Sequence, residues 1–365
     1  FLGERLGHSR FTTHNAYLLS WGGGQGVRPA VKDGTLSGID VQMPTAYRGA
    51  DYYEVDRTHA DLAQVVDERA DHYFWTSFTG GTADRREWEK TITVKAPTEA
   101  NNIPRSARLR IAFQGGRAAS FPHRMRVQLN GRQVLDTTWA GQKQHFKDVG
   151  FDQSAMGASM NFTLTNLDQN DTANNTGGKL PEERVDVYLD WFELDYWREF
   201  RHKSRGVLVS SHLYPALNAG PVRYELTGYP SGGISVYELG DDGIIGKFAN
   251  VQTVAEGAGR QKVRFQDVHS VPTRYLVAAR SDIRRPIDIQ LAPRSGLDNP
   301  SIQANYVIIT HSTFLDAAQE LADYRSSEGH QVKVVDMESI YNDFSHGVFS
   351  PFAIQNFLRS AYVVW

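Results

Sequence analysis

Few residues in this chain have the type and spacing for chemistry. Histidine offers a base near neutral pH, and two histidines stand out. His311 falls just after the apolar run Tyr306–Thr310, at the end of a strand where open α/β sheets place ligands. The competing reading, which we prefer, is a loop residue beside a helix cap at Thr313. His346 precedes Gly347 in a polar stretch, Tyr341–Ser345, that has no buried-strand pattern, so a turn is the plain reading. The run Asp168-Gln169-Asn170-Asp171, with Asn174 and Asn175, is rich in the hard oxygen ligands that calcium takes. It lacks the glycine and closing glutamate of an EF-hand, and a solvated loop competes with a metal site built on Asp168 and Asp171. Trp139, Trp191, Trp197 and Tyr196 offer aromatic faces for a sugar, although tryptophans on strands more often fill a core. Gly22–Gly24 and Gly26 follow Trp21 without the Gly-Lys-Ser/Thr of a phosphate loop, so they read as a tight turn. No Gly-x-Ser-x-Gly elbow and no His-Glu-x-x-His helix occurs.

The totals bound the rest. The 365 residues contain no cysteine, which excludes disulfides, zinc–thiolate sites and a cysteine nucleophile within this chain. A net charge of −3 gives no argument for nucleic acid or an acidic membrane surface. No apolar run is long enough to cross a bilayer. With 40% hydrophobic residues, 32 Gly and 14 Pro, a β-rich protein of two or three domains is expected. The first residue is Phe1, no signal peptide is visible, and the sheet begun near the end is unfinished at Trp365; the chain reads as an internal fragment of a longer protein.

The elements that would position these residues follow from periodicity. Phe11–Trp21 alternates partly and looks like a strand. From about 70 to 203 the chain reads as one β-sandwich. Leu109, Ile111 and Phe113 alternate with polar or small neighbours, as do Met125, Val127 and Leu129, and Met160, Phe162 and Leu164. Asn130-Gly131 marks a two-residue hairpin. Val187, Leu189 and Trp191 share one parity, then Phe192, Leu194 and Tyr196 the other, which calls for a bulge near Trp191. Residues 204–300 form a smaller β module in which Val222, Tyr224 and Leu226 alternate and Arg274–Ala279 closes. Residues 301–365 read as strand–helix–strand–helix. Tyr306–Thr310 and Val332–Val335 are buried parallel strands. Thr313 and Asp316 have capping-box spacing, and Phe314, Leu315, Ala318, Leu321 and Ala322 make one helical face. Gly329 stops that helix. Ser350-Pro351 opens another, with Ile354, Phe357, Leu358 and Ala361 inward. Residues 1–69 are a β segment of uncertain assignment.

The run NYVIITHSTFLDAAQELADYRSSEGHQVKVVDMESIYNDFSHGVFSPFAIQNFLRSAY resembles the start of the peptidase domain of gingipain-type cysteine peptidases. The carrying features are the strand ending in Thr310-His311, the turn and strand from Gly329 to Val335, Ile340 to Asn342 with Phe344, Gly347, and Ile354 to Leu358. THNAYLLSWGGGQGVR, YYEVDR (Tyr52–Arg57), DHYFW (Asp71–Trp75) and VDVYLDWFELDYWR resemble segments before that domain in the sortase-like members of the type IX secretion system. The resemblance implies a multidomain, mainly β chain: a galactose-binding-like jelly roll over 70–203, an immunoglobulin-like module over 204–300, and a truncated caspase-like α/β unit from 301. It implies cysteine endopeptidase or processing chemistry with the catalytic cysteine and histidine beyond residue 365. His346-Gly347 has the identity, though not the strand, of the His-Gly that carries the family's imidazole. Such domains often hold a calcium. The implied partners are a protein or peptide substrate and secretion-system components, at the cell surface or outside a bacterium. The alternative is a non-catalytic surface protein whose jelly roll binds carbohydrate or a partner.

Overall fold

The computed structural model describes residues 12, 14–24, 26, 28–38, 40–60, 72–79, 89–95, 106–116, 122–157, 159–167, 186–202, 206–241, 243–269, 273–292 and 295–365. The candidate metal residues Asp168 and Asp171 lie outside them. In chain order the strands are β1 (Ala30–Asp33), β2 (Ala46–Glu54), β3 (Thr58–His59), β4 (Tyr73–Phe74), β5 (Thr76–Thr79), β6 (Glu89–Lys95), β7 (Ser106–Gly115), β8 (Pro122–Leu129), β9 (Arg132–Ala140), β10 (Gln144–Asp152), β11 (Ser159–Asn166) and β12 (Asp186–Glu199). They continue with β13 (Val207–Val209), β14 (Leu213–Tyr214), β15 (Gly220–Pro230), β16 (Ile234–Gly240), β17 (Gly243–Ala249), β18 (Gln252–Gly257), β19 (Arg260–His269) and β20 (Arg274–Ala279). Then follow β21 (Tyr306–Thr310), α1 (Leu315–Ser327), β22 (Val332–Asp336), α2 (Met337–Ser345) and α3 (Pro351–Val364). Residues Arg28–Arg284 form one compact unit; Arg285–Trp365 belong to a second.

In the first unit, two antiparallel sheets share one core. One has the order β10-β7-β12-β2-β14, with β5 also paired to β12; the other has the order β6-β11-β8-β9. The alternating triplets expected to point inward on β7, β8 and β11 all do so, each residue 1% exposed or less. Asn130 (φ 48°) and Gly131 (φ 81°) make the turn between β8 and β9. Two left-handed residues in succession match the twist of the strands they join.

Strand β12 changes phase where the sequence required it. Leu189 pairs with Phe113 and Phe192 with Ile111, so three steps on β12 face two on β7. Val187 and Leu189 are buried before the bulge, and Phe192, Leu194 and Tyr196 after it. Trp191, which would have followed Leu189 inward, is turned to the outer face.

The long strand also pairs with β2, so the sheet draws in a strand from the segment 1–69. A polar cluster fastens the two. Tyr196 donates its hydroxyl to Asp51 at 2.7 Å, and Arg198 meets the same carboxylate at 2.9 Å with its guanidinium 4.5 Å from the Tyr196 ring. A side chain at position 49 would crowd this arginine, since a Cβ there would lie 3.1 Å from its Nε.

The remaining strands of the unit build a second core. A five-stranded sheet, β1-β17-β16-β20-β13, faces a three-stranded one, β15-β19-β18. Val222, Tyr224, Leu226, Val236, Phe265, Tyr275 and Val277 fill the space between, all fully buried. Arg274–Ala279 lies inside the sheet between β16 and β13, not at its edge. Lys32 of β1 bonds Asp267 at 2.7 Å and Glu238 at 3.0 Å, tying the parallel β1 to the module.

The second unit holds the parallel pair β21 and β22, in register from Tyr306–Val332 to Thr310–Asp336. Four local expectations change. The helix expected from Thr313 starts at Leu315, after a 3-10 turn over Ser312–Phe314. Its inward face is narrower than the sequence pattern, with only Ala318 and Ala322 buried and Phe314 63% exposed. In α3, Ala353, Phe357 and Ala361 are buried, while Leu358 points outward. The stretch before His346 is helix α2, where the sequence reading had only a turn. A fifth concerns burial: β21 and β22, expected to be buried, are half-buried apart from Val335. The signals for helix stop and start act as read. Gly329 adopts φ 94° after α1, and Ser350 accepts from the Phe352 amide at 3.3 Å with Pro351 first in α3. The strand expected over 11–21 does not form among its described residues. Leu18, Leu19 and Trp21 are exposed there, and an extended segment without a partner strand has no ladder to join.

Phe192→Ala removes a fully buried ring and is expected to lower the free energy of unfolding by about 3–5 kcal/mol. Trp191→Ala, one residue away on the outer face, should cost less than half as much. Urea unfolding measures both, and equal losses would contradict the bulged register.

Candidate functional site

The carboxyl ends of β21 and β22 bring an imidazole and a carboxylate to one edge of the parallel pair. Thr310 and Asp336 are opposite in the ladder, and His311 follows at once. The His311 ring turns back on its own chain. Its Nδ1 accepts from the Thr313 amide at 3.2 Å and lies 2.9 Å from the Thr313 hydroxyl. The ring therefore caps the turn that Thr313 was expected to cap itself, and Nδ1 as acceptor leaves the ring proton on Nε2. Asp336 opens α2 without capping it, and its Oδ1 is buried with no hydrogen-bond partner. The sequence reading missed this aspartate. Its only signal was a carboxylate directly after a β-branched strand.

His346 is a different matter. It ends α2 in the left-handed conformation, φ 54° and ψ 37°, and the next amide, of Gly347, donates to the Tyr341 carbonyl at 2.8 Å. The His346 amide donates to the same carbonyl, so the left-handed residue closes the helix end on its own last turn. The helix starts at the end of β22 and runs nine residues, which puts His346 roughly 13 Å along its axis from that sheet edge. His346 acts as a helix stop. The sheet edge thus holds a hydrogen-bond donor at His311 and an acceptor at Asp336. No cysteine occurs in the chain, and the hydroxyl that meets the His311 ring is that of Thr313, which shares Nδ1 with its own backbone amide.

The four aromatic candidates separate. Tyr196 and Trp139 are buried in the first core. Trp139 stacks on His145 with centroids 4.4 Å apart and planes 8° from parallel. His145 Nε2 meets the Thr137 hydroxyl at 2.8 Å. Burial, helped by Lys147, Lys143 and His123, pushes the His145 imidazole down to about 4. Trp197 lies edge-on to Tyr214, 6.0 Å away, with Arg48 over its ring. Trp191 faces outward. Among the described residues no group of three or more His, Cys, Asp or Glu is placed to hold a metal ion.

An open parallel strand–helix–strand edge of this kind defines a class of α/β domain, and the family within that class is given by comparison. Residues 299–365 match Peptidase family C25, and this segment, which holds β21 to α3, is a gingipain-type peptidase segment. No curated protein matches the chain. Its fold is similar to that of dimeric latent PorU from Porphyromonas gingivalis, with a TM-score of 0.58 at 14% identity over 92% of this chain. The chain spans 29% of that protein's length. A carbohydrate-binding module, CBM36 in complex with calcium and xylotriose, aligns over 40% of this chain and 98% of its own at 11% identity. Its TM-score is 0.24.

Two results are expected from this geometry. His346→Gly should leave stability unchanged or raise it by about 1 kcal/mol, because glycine takes the left-handed position without the Cβ penalty; thermal unfolding reads the change. The lowered His145 makes stability pH-dependent. The unfolded chain binds this proton below about 6.5 and the folded one only near 4, so stability is complete above pH 6.5 and falls on acidification between those values. A melting-temperature series from pH 7 to 4.5 should show a shallower decline in His145→Gln than in the parent.

Proposed function

We propose that this chain is part of a gingipain-type cysteine peptidase of the sortase-like kind, comprising its accessory β modules and the opening of its peptidase domain. One observation carries the reading: the C25 match falls on the unit that folds as β21–α1–β22 with α2 and α3. The likeness in fold to PorU over 92% of the chain supports the same order of modules. In this reading the first core is a galactose-binding-like jelly roll and the second an immunoglobulin-like module. The reaction is peptide-bond hydrolysis or transfer through a cysteine acyl-enzyme, with cysteine and histidine supplied by sequence outside these 365 residues. The substrate is a protein or peptide, and the setting is the bacterial cell surface or its secretion machinery. His311 and Asp336 then lie in the part of the sheet that supports the site, with no step of their own.

The test is made on two proteins. Residues 1–365 alone should release no product from a set of fluorogenic peptides. The product of the complete gene should cleave at least one of them, and iodoacetamide should abolish the cleavage. A complete gene product without thiol-dependent cleavage would refute the reading. So would turnover by residues 1–365 that is lost in His311→Ala.

A further inference from the structure

The bulge in β12 has a second consequence on the outer face of the six-stranded sheet. Had the strand kept its alternation, Trp191 would lie in the core with Val187 and Leu189. The extra residue instead turns its indole outward, between two other rings. Phe146 of β10 lies 5.9 Å away on one side and Tyr52 of β2 lies 5.2 Å away on the other. The rings form one row running across β10, β12 and β2. Ala112 of β7 pairs with Phe146 and is fully buried, although Arg108 and Arg110 on the same parity reach solvent. Phe146 itself is 50% exposed. Trp191 and Tyr52 are half-buried between their neighbours, and farther along β12 Tyr188 packs against Phe74 of β4, 5.0 Å away. Bulges recur where a side chain is re-aimed for a purpose, and a tryptophan moved out of a core is an expensive thing to re-aim.

The rim is polar, and its charges answer one another. Arg110 pairs with Glu193 at 2.6 Å, Arg108 grips Asp148 with two bonds of 2.7 and 3.0 Å, and Arg48 meets Asp195 at 3.0 Å. Glu54 accepts the Tyr52 hydroxyl at 3.0 Å. With three guanidiniums against four carboxylates the rim is close to neutral and offers little field to a charged ligand. They do leave carboxylate and guanidinium edges able to bond hydroxyl groups. The row is one ring wide between ion pairs, far short of the roughly 800 Å² per partner that a stable protein interface needs. A ligand that fits must be narrow, uncharged, apolar on one side and rich in hydroxyls at its edge.

We propose that the Tyr52–Trp191–Phe146 row is a binding shelf for a neutral glycan chain. The C–H face of a pyranose ring, slightly positive, lies on the negative face of the indole, and hydroxyls at the sugar's edge bond the rim. This site is independent of the peptidase reading, since every residue in it belongs to the β unit.

Affinity electrophoresis of the whole chain through native gels containing dextran, galactomannan or xylan tests it, with dextran sulfate as the charged probe. Retardation by at least one neutral polysaccharide is expected, roughly tenfold or more weaker in Trp191→Ala, the scale of one lost aromatic contact. Phe146→Ala, at a half-exposed position that the fold does not need, should weaken it too, while Trp197→Ala should not. Melting temperatures confirm that the variants fold. No retardation by any neutral polysaccharide overturns the proposal. Retardation unchanged in both Trp191→Ala and Phe146→Ala overturns it as well, as does binding to dextran sulfate alone.

Discussion

The pairing of β12 is the interaction on which the larger unit depends. This strand is bonded to β7 on one side and to β2 and β5 on the other, and its side chains divide between the first core and the outer face. A strand of period two admits only one inward set, and a single inserted residue exchanges the sets. Before the bulge β12 contributes Val187 and Leu189 to the core; after it, Phe192, Leu194 and Tyr196. The sheet keeps its hydrogen bonds on both sides of the irregularity because the neighbouring β7 is regular. The aromatic row on the outer face and the packed core beneath it are two results of that one insertion.

Polar contacts then fix what hydrophobic packing leaves free. Burial alone does not choose which strand lies beside β12. The cluster of Asp51, Tyr196 and Arg198 does so, since a half-buried carboxylate there finds both a hydroxyl and a guanidinium only in this register. Removing one member of such a set strands its partners, which is why these clusters act more as specifiers than as sources of stability. His202 and Asp282 repeat the arrangement in the second core, with both oxygens of a buried aspartate within 3.0 Å of one imidazole nitrogen. That contact holds the segment leaving β12 to the turn after β20.

The α/β unit shows the opposite balance. Its strands are parallel, and the crossover helix presents only two alanines inward. Small residues let a helix lie close to a sheet but bury little area, so the larger side chains of α1 face out. The helix ends owe more to local chemistry: a ring caps the 3-10 turn before α1, a serine caps α3, and left-handed residues close α1 and α2. Local chemistry thus sets where the elements begin and end more firmly than packing sets their faces.

The sequence by itself determined what is local or strictly periodic. The alternating strands, the Asn130-Gly131 hairpin, the Gly329 stop, the Ser350-Pro351 start and the phase change near Trp191 were all legible. Each follows from spacing or from the backbone preference of one residue. Absence of a cysteine nucleophile was equally legible, and so was the gingipain-type character of the last segment. Tertiary structure alone decided what depends on partners far along the chain. Nothing near Ala46–Glu54 says that it will pair with a strand some 140 residues later. Nothing near Leu18 or Trp21 says that no strand will come to meet them. The fate of the tryptophans was hidden for the same reason. A strand pattern gives parity, but which parity is inside depends on the sheet that packs against it, and so Trp139 went in while Trp191 came out. Asp336 came to hold a buried oxygen without a hydrogen-bond partner only because α2 starts where β22 ends, a junction that spacing alone does not mark.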